Sequence, residues 1–273
     1  MFSKGGFASY PAVWASAKLK IPVLTHESDL SPGLCTRLIA KKCAYVLTSF
    51  PETAKRFSNG KYVGSPVRRE VLNGDSARAR RKFGFPENDR VLLVFGGGSG
   101  SHALNQALES TLPELLKHFS VLHLTGLSTP LPQAILTDKY ESNSSESFSQ
   151  NKAQTQKHVY VCREFERDMG SAYAAAEVVL CRAGSNTVFE LLALKKPGVL
   201  VPLSHSSRGD QLQNARYFAQ KGLVKLLPEE QLDLMCDVIC DAAGDCELKK
   251  NLDQEAIPNG TENIIKVIKE FLE

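Results

Sequence analysis

The stretch AEVVLCRAGSNTVFELLALKKPGVLVPL, residues 176–203, places a helical pattern between two apolar runs. The first run, Val178–Leu180, leads through Arg182 and Gly184 into the helical pattern, and the second run closes at Pro202. This order predicts a strand, turn, helix, strand unit. Units of this kind build parallel sheets with crossover helices, so we expect an α/β protein.

The turn of this unit is typical of a phosphate site. Gly184 lets the chain turn sharply, and Ser185, Asn186 and Thr187 are residue types that begin helices, where backbone N–H groups point outward. Glu190 follows about one turn later on the same side, where its carboxylate could accept both hydroxyls of a ribose. A capped helix with a capping-box carboxylate would have the same residues, so this turn alone leaves both interpretations open.

A second glycine loop follows another buried run. VLLVF at 91–95 predicts a strand, the loop GGGSGS follows at 96–101, and a helix is predicted at 102–116. A glycine loop between strand and helix lets the backbone approach a phosphate closely, although tight turns also use glycine. Two glycine-bearing helix starts in one domain favour a nucleotide site.

Composition limits the class of protein. The chain has 273 residues, 42% of them apolar and 23% charged, and a net charge of +3. Such a small charge argues against a dedicated nucleic-acid binder. No apolar stretch reaches the ~20 residues of a membrane span, and the N-terminus lacks the apolar core of a signal peptide. We therefore expect a cytoplasmic protein, with contact to a membrane surface left open.

The seven cysteines predict free thiols in a reducing compartment, because they are scattered and mostly lie in apolar runs. Cys236, Cys240 and Cys246 lack a Cys-x-x-Cys pair and have no fourth ligand nearby in sequence. The sequence therefore predicts no metal site.

The N-terminal part also alternates, with a helix predicted at 11–19, strands at 21–25 and 44–48, and a helix at 33–42. His26, Glu27 and Asp29 then follow a strand, at the sheet edge where ligands bind. They could bind a ligand there, or they cap the next helix or pair with each other.

Two further positions have open interpretations. Arg68 reaches into an interdomain cleft or is a solvated linker arginine. Asp210 and Gln211 begin a helix after a strand, where they hold a sugar by its hydroxyls or where Asp210 caps the helix. The predicted domains are a first domain at 1–72, a linker at 73–90 and a second domain at 91–250 with a polar surface insertion at 128–157. A C-terminal helix at 251–273 is expected to pack back on the first domain.

Five motifs together resemble one family. In chain order they are HESDLSPGL (26–34), VGSPVR (63–68), GGGSGS followed by LNQAL (96–108), REFERDMGSAYAAAEVVLCRAGSNTVFE (163–190) and VPLSHSSRGDQLQNA (201–215). They are similar to the motifs of the bacterial N-acetylglucosaminyltransferases that convert lipid I to lipid II in peptidoglycan synthesis. The resemblance covers nearly the whole chain apart from the insertion and the last helices.

The resemblance implies a GT-B architecture, in which two Rossmann-like parallel-sheet domains face a cleft. UDP-N-acetylglucosamine would bind the second domain and an undecaprenyl-linked lipid acceptor the first. It also implies an inverting transfer without a cofactor, since a helix N-terminus would stabilise the leaving UDP. The enzyme would act as a peripheral protein on the inner face of the cell membrane.

The resemblance also implies roles for single residues. His26 and Glu27 are the acid–base candidates near the acceptor face, and Arg68 would reach the diphosphate. Glu190 would hold the ribose, the main chain around Phe165 and Glu166, near Met169, would hold the uracil, and Asp210 and Gln211 would read the sugar hydroxyls. The backbone of two turns would hold the diphosphate; these turns are Gly97, Gly98, Ser99 and Gly100, and Gly184, Ser185, Asn186 and Thr187.

The chain departs from the family pattern in several places. Gly97-Gly98 stand where the family has Gly-Ser, Glu166 replaces an apolar residue, and Asp29 replaces an asparagine. The family also carries roughly another hundred residues upstream, the size of a small domain, so the first domain is expected to be incomplete. Either the natural protein is longer, or a separate chain supplies the missing half.

Two alternatives follow from these departures. The chain could be a nucleotide-sugar-binding subunit that is inactive without a partner. It could also be a related UDP-sugar transferase that acts on another lipid, such as diacylglycerol.

Overall fold

The computed structural model describes residues 1–128, 158–203 and 209–270. The chain divides into two compact units, and most of the predicted insertion lies outside the described residues. Unit 1 comprises Met1–Val67, Ser206–Asn214 and Ala256–Glu273, and unit 2 comprises Arg68–His205 and Ala215–Glu255.

The elements alternate along the chain. The strands are β1 (Phe2–Ser3), β2 (Leu24–Glu27), β3 (Tyr45–Thr48), β4 (Gly60–Tyr62), β5 (Val91–Phe95), β6 (Ser120–Leu124), β7 (Tyr160–Arg163), β8 (Val178–Cys181), β9 (Gly198–Leu200) and β10 (Lys225–Leu226). The helices are α1 (Ser9–Lys18), α2 (Leu34–Ile39), α3 (Pro51–Ala54), α4 (Arg69–Leu72), α5 (Ser76–Phe83), α6 (His102–Leu115), α7 (Met169–Ala175), α8 (Ser185–Ala193), α9 (Asp210–Gln220), α10 (Met235–Gly244), α11 (Cys246–Gln254) and α12 (Gly260–Lys269). Short 3-10 turns occupy Ala40–Lys42 and Glu229–Leu234.

Unit 1 is built on a four-stranded parallel sheet in the order β1-β2-β3-β4. Helix α12, from the far end of the sequence, belongs to its core: Ile264 and Val267 pack with Leu24, Leu47 and Val63. The first and last described segments of the chain therefore share one apolar cluster.

Unit 2 is built on a six-stranded parallel sheet in the order β10-β9-β8-β5-β6-β7. From β5 the chain first adds strands on one side, through β6 to β7, and then returns to add β8, β9 and β10 on the other side. The strand order therefore reverses between β5 and β8. In open parallel sheets, ligands bind at the carboxyl ends of the strands that flank such a reversal.

The first strand prediction is wrong at its boundaries. Strand β2 covers Leu24–Glu27, so His26 and Glu27 lie inside the strand rather than beyond it. Lys20 has a positive φ of 56°, and Pro22 has no N–H to donate to a neighbouring strand. The ladder therefore begins only after these two residues.

The polar stretch 73–90, predicted as a linker, holds helix α5 and lies within unit 2. Asp75 caps this helix by accepting a hydrogen bond from Arg78 N (3.0 Å), and Gly84 ends it with a φ of +71°. Ala79 and Phe83 are buried. The segment folds because its few apolar residues recur at helical spacing.

Among the described residues, no helix has both the length and the apolar character needed to cross a membrane. All seven cysteines are free thiols in the structure.

Candidate functional site

The two glycine turns of unit 2 emerge side by side. Strands β5 and β8 are parallel neighbours, and their last residues, Phe95 and Cys181, are aligned in the ladder. The loop 96–101 follows the first strand and the turn 182–184 follows the second. Both turns therefore lie at the point where the strand order reverses, at the carboxyl edge of the sheet.

The loop after β5 is built for close backbone approach. Gly97 and Gly100 have φ values of +95° and +84°, which L side chains rarely adopt. Gly126, after β6, packs so tightly that a Cβ there would come within 2.1 Å of Gly100 N. Leu127 N and Ser128 N donate to the carbonyls of Gly98 and Ser99 at 3.0 and 3.3 Å. The loop is thus anchored through its carbonyl oxygens.

The turn after β8 presents the start of helix α8. Gly184 occupies the N-cap position and has no side chain to accept a hydrogen bond from the first turn. Its carbonyl accepts from Val188 N at 3.0 Å, so the helix begins at this turn. The N–H groups of Ser185, Asn186 and Thr187 form its positive end, which favours an anion.

Arg182 joins the two turns. Its Nη2 donates to Ser101 Oγ and to Glu229 Oε1, both at 2.5 Å, and its Nη1 donates to the carbonyls of Val201 and Pro202 at 3.3 and 3.4 Å. Ser101 in turn caps α6 by accepting from Leu104 N at 3.3 Å. One nearly buried guanidinium therefore sets the position of the α6 start relative to strand β8.

Glu190 is a buried carboxylate with two partners. Arg68 Nε and Nη2 donate to Oε1 at 3.2 and 3.0 Å, and the Tyr173 hydroxyl donates to Oε2 at 3.0 Å. Burial and the Glu190 charge hold the pKa of Tyr173 well above its usual value, so the phenol keeps the proton that it donates. All three residues belong to unit 2, so the structure brings Arg68 to the residue predicted for the ribose.

The loop after β7 is braced by the side chain of Glu166. Its Oε2 forms an ion pair with Lys82 at 2.5 Å, and its Oε1 accepts from Asp168 N at 2.8 Å. Phe165 is half exposed beside it, and Met169 begins helix α7. The charge of Glu166 is therefore paired with Lys82 of α5 and with the backbone of its own loop, which leaves the main chain of Phe165 and Glu166 as the part available for a base.

His26 is fully buried in unit 1, and both of its ring nitrogens have partners. Lys4 Nζ lies 3.0 Å from Nδ1. Because an ammonium can only donate, Nδ1 must be the acceptor, and Nε2–H then donates to Gly64 O at 3.1 Å. Burial first, and the Lys4 charge second, lower the pKa of His26 to about 4, so the ring is neutral near pH 7.

Glu27 organises the loop that follows β2. Its two oxygens accept from Asp29 N (3.2 Å) and Gly33 N (2.9 Å). Asn214, which is buried on α9, donates to Asp29 Oδ1 at 2.9 Å and accepts from Leu30 N at 3.0 Å. The amide that holds this loop is thus on α9, in the same unit.

Asp210 and Gln211 form the first turn of α9, in the part of that helix that belongs to unit 1. The preceding residues 204–208 lie outside the described residues. The role of Asp210 and Gln211 in binding the sugar remains a prediction.

Sequence reasoning missed Tyr173, Arg182 and Asn214 as positioning residues. Their respective partners, Glu190, Ser101 and Asp29, lie 17, 81 and 185 positions away in sequence. All three lie inside quoted motifs, and Arg182 and Asn214 are next to glycine or polar turns. That placement was the only signal of their roles.

Two family models match separate parts of the chain. The glycosyltransferase family 28 C-terminal domain matches residues 91–239, and the glycosyltransferase family 28 N-terminal domain matches residues 1–48. The second match falls in unit 1, and the first covers β5 to β10 with both glycine turns.

Known proteins agree with these matches. A UDP-N-acetylglucosamine--N-acetylmuramyl-(pentapeptide) pyrophosphoryl-undecaprenol N-acetylglucosamine transferase of Clostridium perfringens is 38% identical over 98% of this chain and 72% of its own length. A crystal structure of MurG from Acinetobacter baumannii matches with a TM-score of 0.70 and 24% identity, over 98% of this chain and 72% of that one. The calicheamicin glycosyltransferase CalG4 matches with a TM-score of 0.57 and 13% identity, over 92% and 65%.

These likenesses confirm the α/β fold with two parallel sheets of GT-B type, and they confirm the family that the motifs indicated. By the identity and coverage of its relatives, the chain belongs to the bacterial UDP-N-acetylglucosamine--N-acetylmuramyl-(pentapeptide) pyrophosphoryl-undecaprenol N-acetylglucosamine transferases, a family of glycosyltransferases.

Proposed function

We propose that this protein transfers N-acetylglucosamine from UDP-N-acetylglucosamine to the muramoyl 4-hydroxyl of lipid I, which gives lipid II. The observation that carries the proposal is the pair of glycine turns at the reversal between β5 and β8, with Glu190 buried one turn into α8. Diphosphate, ribose and base then have separate places in unit 2. Family membership supplies the acceptor.

In this proposal the diphosphate lies at the start of α8 and along the loop 96–101. The acceptor hydroxyl attacks the anomeric carbon from the face opposite to UDP, the bond from that carbon to the diphosphate oxygen breaks, and configuration inverts. Negative charge grows on the leaving UDP. The positive end of α8 and the backbone N–H groups stabilise this growing charge in the transition state, which lowers the barrier to transfer.

The acceptor hydroxyl must give its proton to a base, and His26 and Glu27 remain predictions for that role. The only lone pair of the His26 ring accepts from Lys4, so general-base action by His26 requires that this contact open first. If His26 is the base, His26→Gln lowers kcat by ~100-fold or more without changing the Kd of UDP. An unchanged kcat would assign the ring to positioning of the β2 edge.

We also propose that unit 1 rests on an anionic lipid surface at the inner face of the cell membrane, where the undecaprenyl-linked acceptor would be found. Apolar side chains on and beside α1 are exposed, led by Phe7 (94%) and Leu19 (71%). Lysines accompany them, and Lys42 Nζ lies 3.6 Å from the ring centroid of Trp14. Exposed aromatic and aliphatic groups with lysines are typical of interfacial binding.

Co-sedimentation with vesicles of anionic phospholipid tests the surface. Phe7→Ser with Leu19→Ser should release the protein, as should high salt, whereas the control Leu72→Ser on α4 should not. Equal binding by both variants would remove this face from the proposal.

The transfer is tested with the purified chain, UDP-N-acetylglucosamine and either lipid I or diacylglycerol, with the lipid products separated by chromatography. Lipid II formed only from lipid I supports the proposal, and product formed from diacylglycerol instead contradicts it. UDP-sugar binding without product from either lipid indicates a subunit that acts with a second chain. The intact mass of the protein from its native cells tests that interpretation against a longer polypeptide.

A further inference from the structure

The far end of helix α6 gathers a cluster of metal-ligand side chains that the transfer reaction does not use. His118, in the turn after α6, meets Cys236 and Cys240 of α10, and one potential ligand atom from each lies within 4.8 Å of the other two. Cys236 and Cys240 are four residues apart, so they project from one face of α10. That face is partly buried and packs beside α6 against the core of unit 2.

A fourth donor comes from the last turn of α6. Glu114 precedes His118 by four residues, and its Oε1 lies 3.9 Å from His118 Nε2. Its other oxygen is held by Lys117 at 2.5 Å. Helix α10 therefore contributes a pair of thiols four residues apart, and the end of α6 with the turn after it contributes a carboxylate and an imidazole at the same spacing.

We propose that His118, Cys236 and Cys240 bind a zinc ion, with Glu114 as the fourth ligand. Two sulfurs, one imidazole and one carboxylate are donors that zinc accepts in tetrahedral geometry. Ligand bonds of about 2.0–2.3 Å place the donor atoms of such a site roughly 3.3–3.8 Å apart. The donor atoms of His118, Cys236 and Cys240, which lie up to 4.8 Å apart, reach that spacing if side-chain rotation moves them by about 1 Å; Glu114, 3.9 Å from His118 Nε2, must turn towards them.

The local charges suit a cation. The carboxylates of Glu114 and Asp237 lie close enough to Cys236 to act on it electrostatically, and negative charge around a site favours a cation. The nearby Arg90 guanidinium is committed to Glu177 through hydrogen bonds of 2.8 and 3.2 Å.

The position of the cluster indicates a structural role. Helix α6 has 14 residues, and at ~1.5 Å per residue its two ends lie about 20 Å apart. The glycine loop precedes the first end and the cluster adjoins the second. A bound ion would tie the end of α6 to α10 and leave the reacting atoms untouched.

The proposal is tested on full-length, reduced, tag-free protein by titration with Co²⁺, which gives a thiolate charge-transfer band when sulfur binds, followed by displacement with Zn²⁺. We expect one ion per chain and a rise in Tm with Zn²⁺ that a chelator reverses. The variants Cys236→Ser, Cys240→Ser and His118→Gln should bind at least tenfold more weakly. The control Cys246→Ser removes an exposed thiol of α11 and should bind as the original protein does.

A second measurement does not depend on variants that must fold. Zn²⁺ should slow alkylation of Cys236 and Cys240 by iodoacetamide, as mapped by peptide mass, but should not slow alkylation of Cys246. The absence of a Co²⁺ band in the folded, reduced protein overturns the proposal. Equal protection of all three cysteines, or an undiminished band in the double variant of Cys236 and Cys240, does the same.

Discussion

Arg68 donates two hydrogen bonds to a single carboxylate oxygen of Glu190, at 3.2 and 3.0 Å, while Tyr173 occupies the other oxygen. A ribose that binds Glu190 must therefore compete with Arg68. Once displaced, this guanidinium, whose side chain is 61% exposed, is available for the diphosphate that the ribose carries. Binding of the ribose to Glu190 would thus release Arg68 to bind the diphosphate of the same nucleotide.

Replacement of Arg68 by alanine should change the affinities for uridine and for UDP in opposite directions. We expect uridine to bind up to ~5-fold more tightly, since it no longer competes with an ion pair whose guanidinium is exposed and which is worth about 1 kcal/mol. UDP should bind roughly 10- to 150-fold more weakly, because a charged hydrogen-bond donor to the diphosphate is lost. Calorimetry with both ligands measures the difference, and the neighbouring exposed Arg69→Ala serves as the control. Parallel losses for uridine and UDP would contradict the exchange.

Replacement of Glu190 by glutamine should weaken UDP binding by ~1–3 kcal/mol, since hydrogen bonds to a charged acceptor are replaced by neutral ones. Glutamine keeps the size of the side chain, so unit 2 should still fold. Calorimetry gives the affinity, and Glu177→Gln, which removes an exposed partner of Arg90, is the matched control. Unchanged affinity would remove the ribose from Glu190.

Loss of the Arg182 guanidinium should strongly destabilise unit 2. The Arg182–Glu229 pair is nearly buried, with 11% and 15% of the side chains exposed, and removal of one partner leaves a buried charge, which costs about 3–5 kcal/mol. Urea unfolding of Arg182→Ala should show this loss. Arg90→Ala, from a more exposed pair, should lose ~1 kcal/mol or less. A comparable loss in both variants would mean that burial is not the cause.

Acid should weaken both units through buried histidines. Burial, aided at His26 by the Lys4 charge, lowers the pKa values of His26 and His123 from 6.5 to about 4. Below pH 6.5 the unfolded chain binds protons that the folded chain does not accept until about pH 4. The stabilising contribution is therefore complete above pH 6.5 and is lost as the pH falls towards 4, by roughly 3 kcal/mol for each ring.

Urea unfolding at a series of pH values checks this effect. In His123→Gln the slope of the unfolding free energy should be smaller by about 1.4 kcal/mol per pH unit between pH 6 and 4.5. The exposed His102→Gln should keep the original slope. An unchanged slope in His123→Gln would place the acid sensitivity elsewhere.

Local patterns predicted much of unit 2, because its strands are continuous apolar runs next to glycine turns. The strand at 91–95 was placed correctly, and the turn at Gly184 does begin a helix. The β2 boundary failed because a positive φ at Lys20 depends on the surrounding fold. Helix α5 was missed because its polar residues outnumber the buried Ala79 and Phe83.

The sequence predicted individual residues of the candidate site but not the contacts between them. The sequence placed Glu190 on the helix after the turn, and it placed Arg68 near the same ligand. It could not show that these two side chains pair, because 122 residues separate them. His26 was predicted as an acid–base candidate at the sheet edge, and the sequence did not show that the fold buries its ring between Lys4 and Gly64.

The place of α12 in unit 1 has a consequence for synthesis of the protein. Asn263 Nδ2 donates to Val63 O at 2.9 Å, and a Cβ on Gly260 would come within 2.4 Å of the Ser65 backbone. The helix that completes the core of the unit 1 strands is translated about 200 residues after them. Unit 1 therefore closes a long loop, which is a slow step, and the apolar surface of its four strands stays open to chaperones until α12 has also been made.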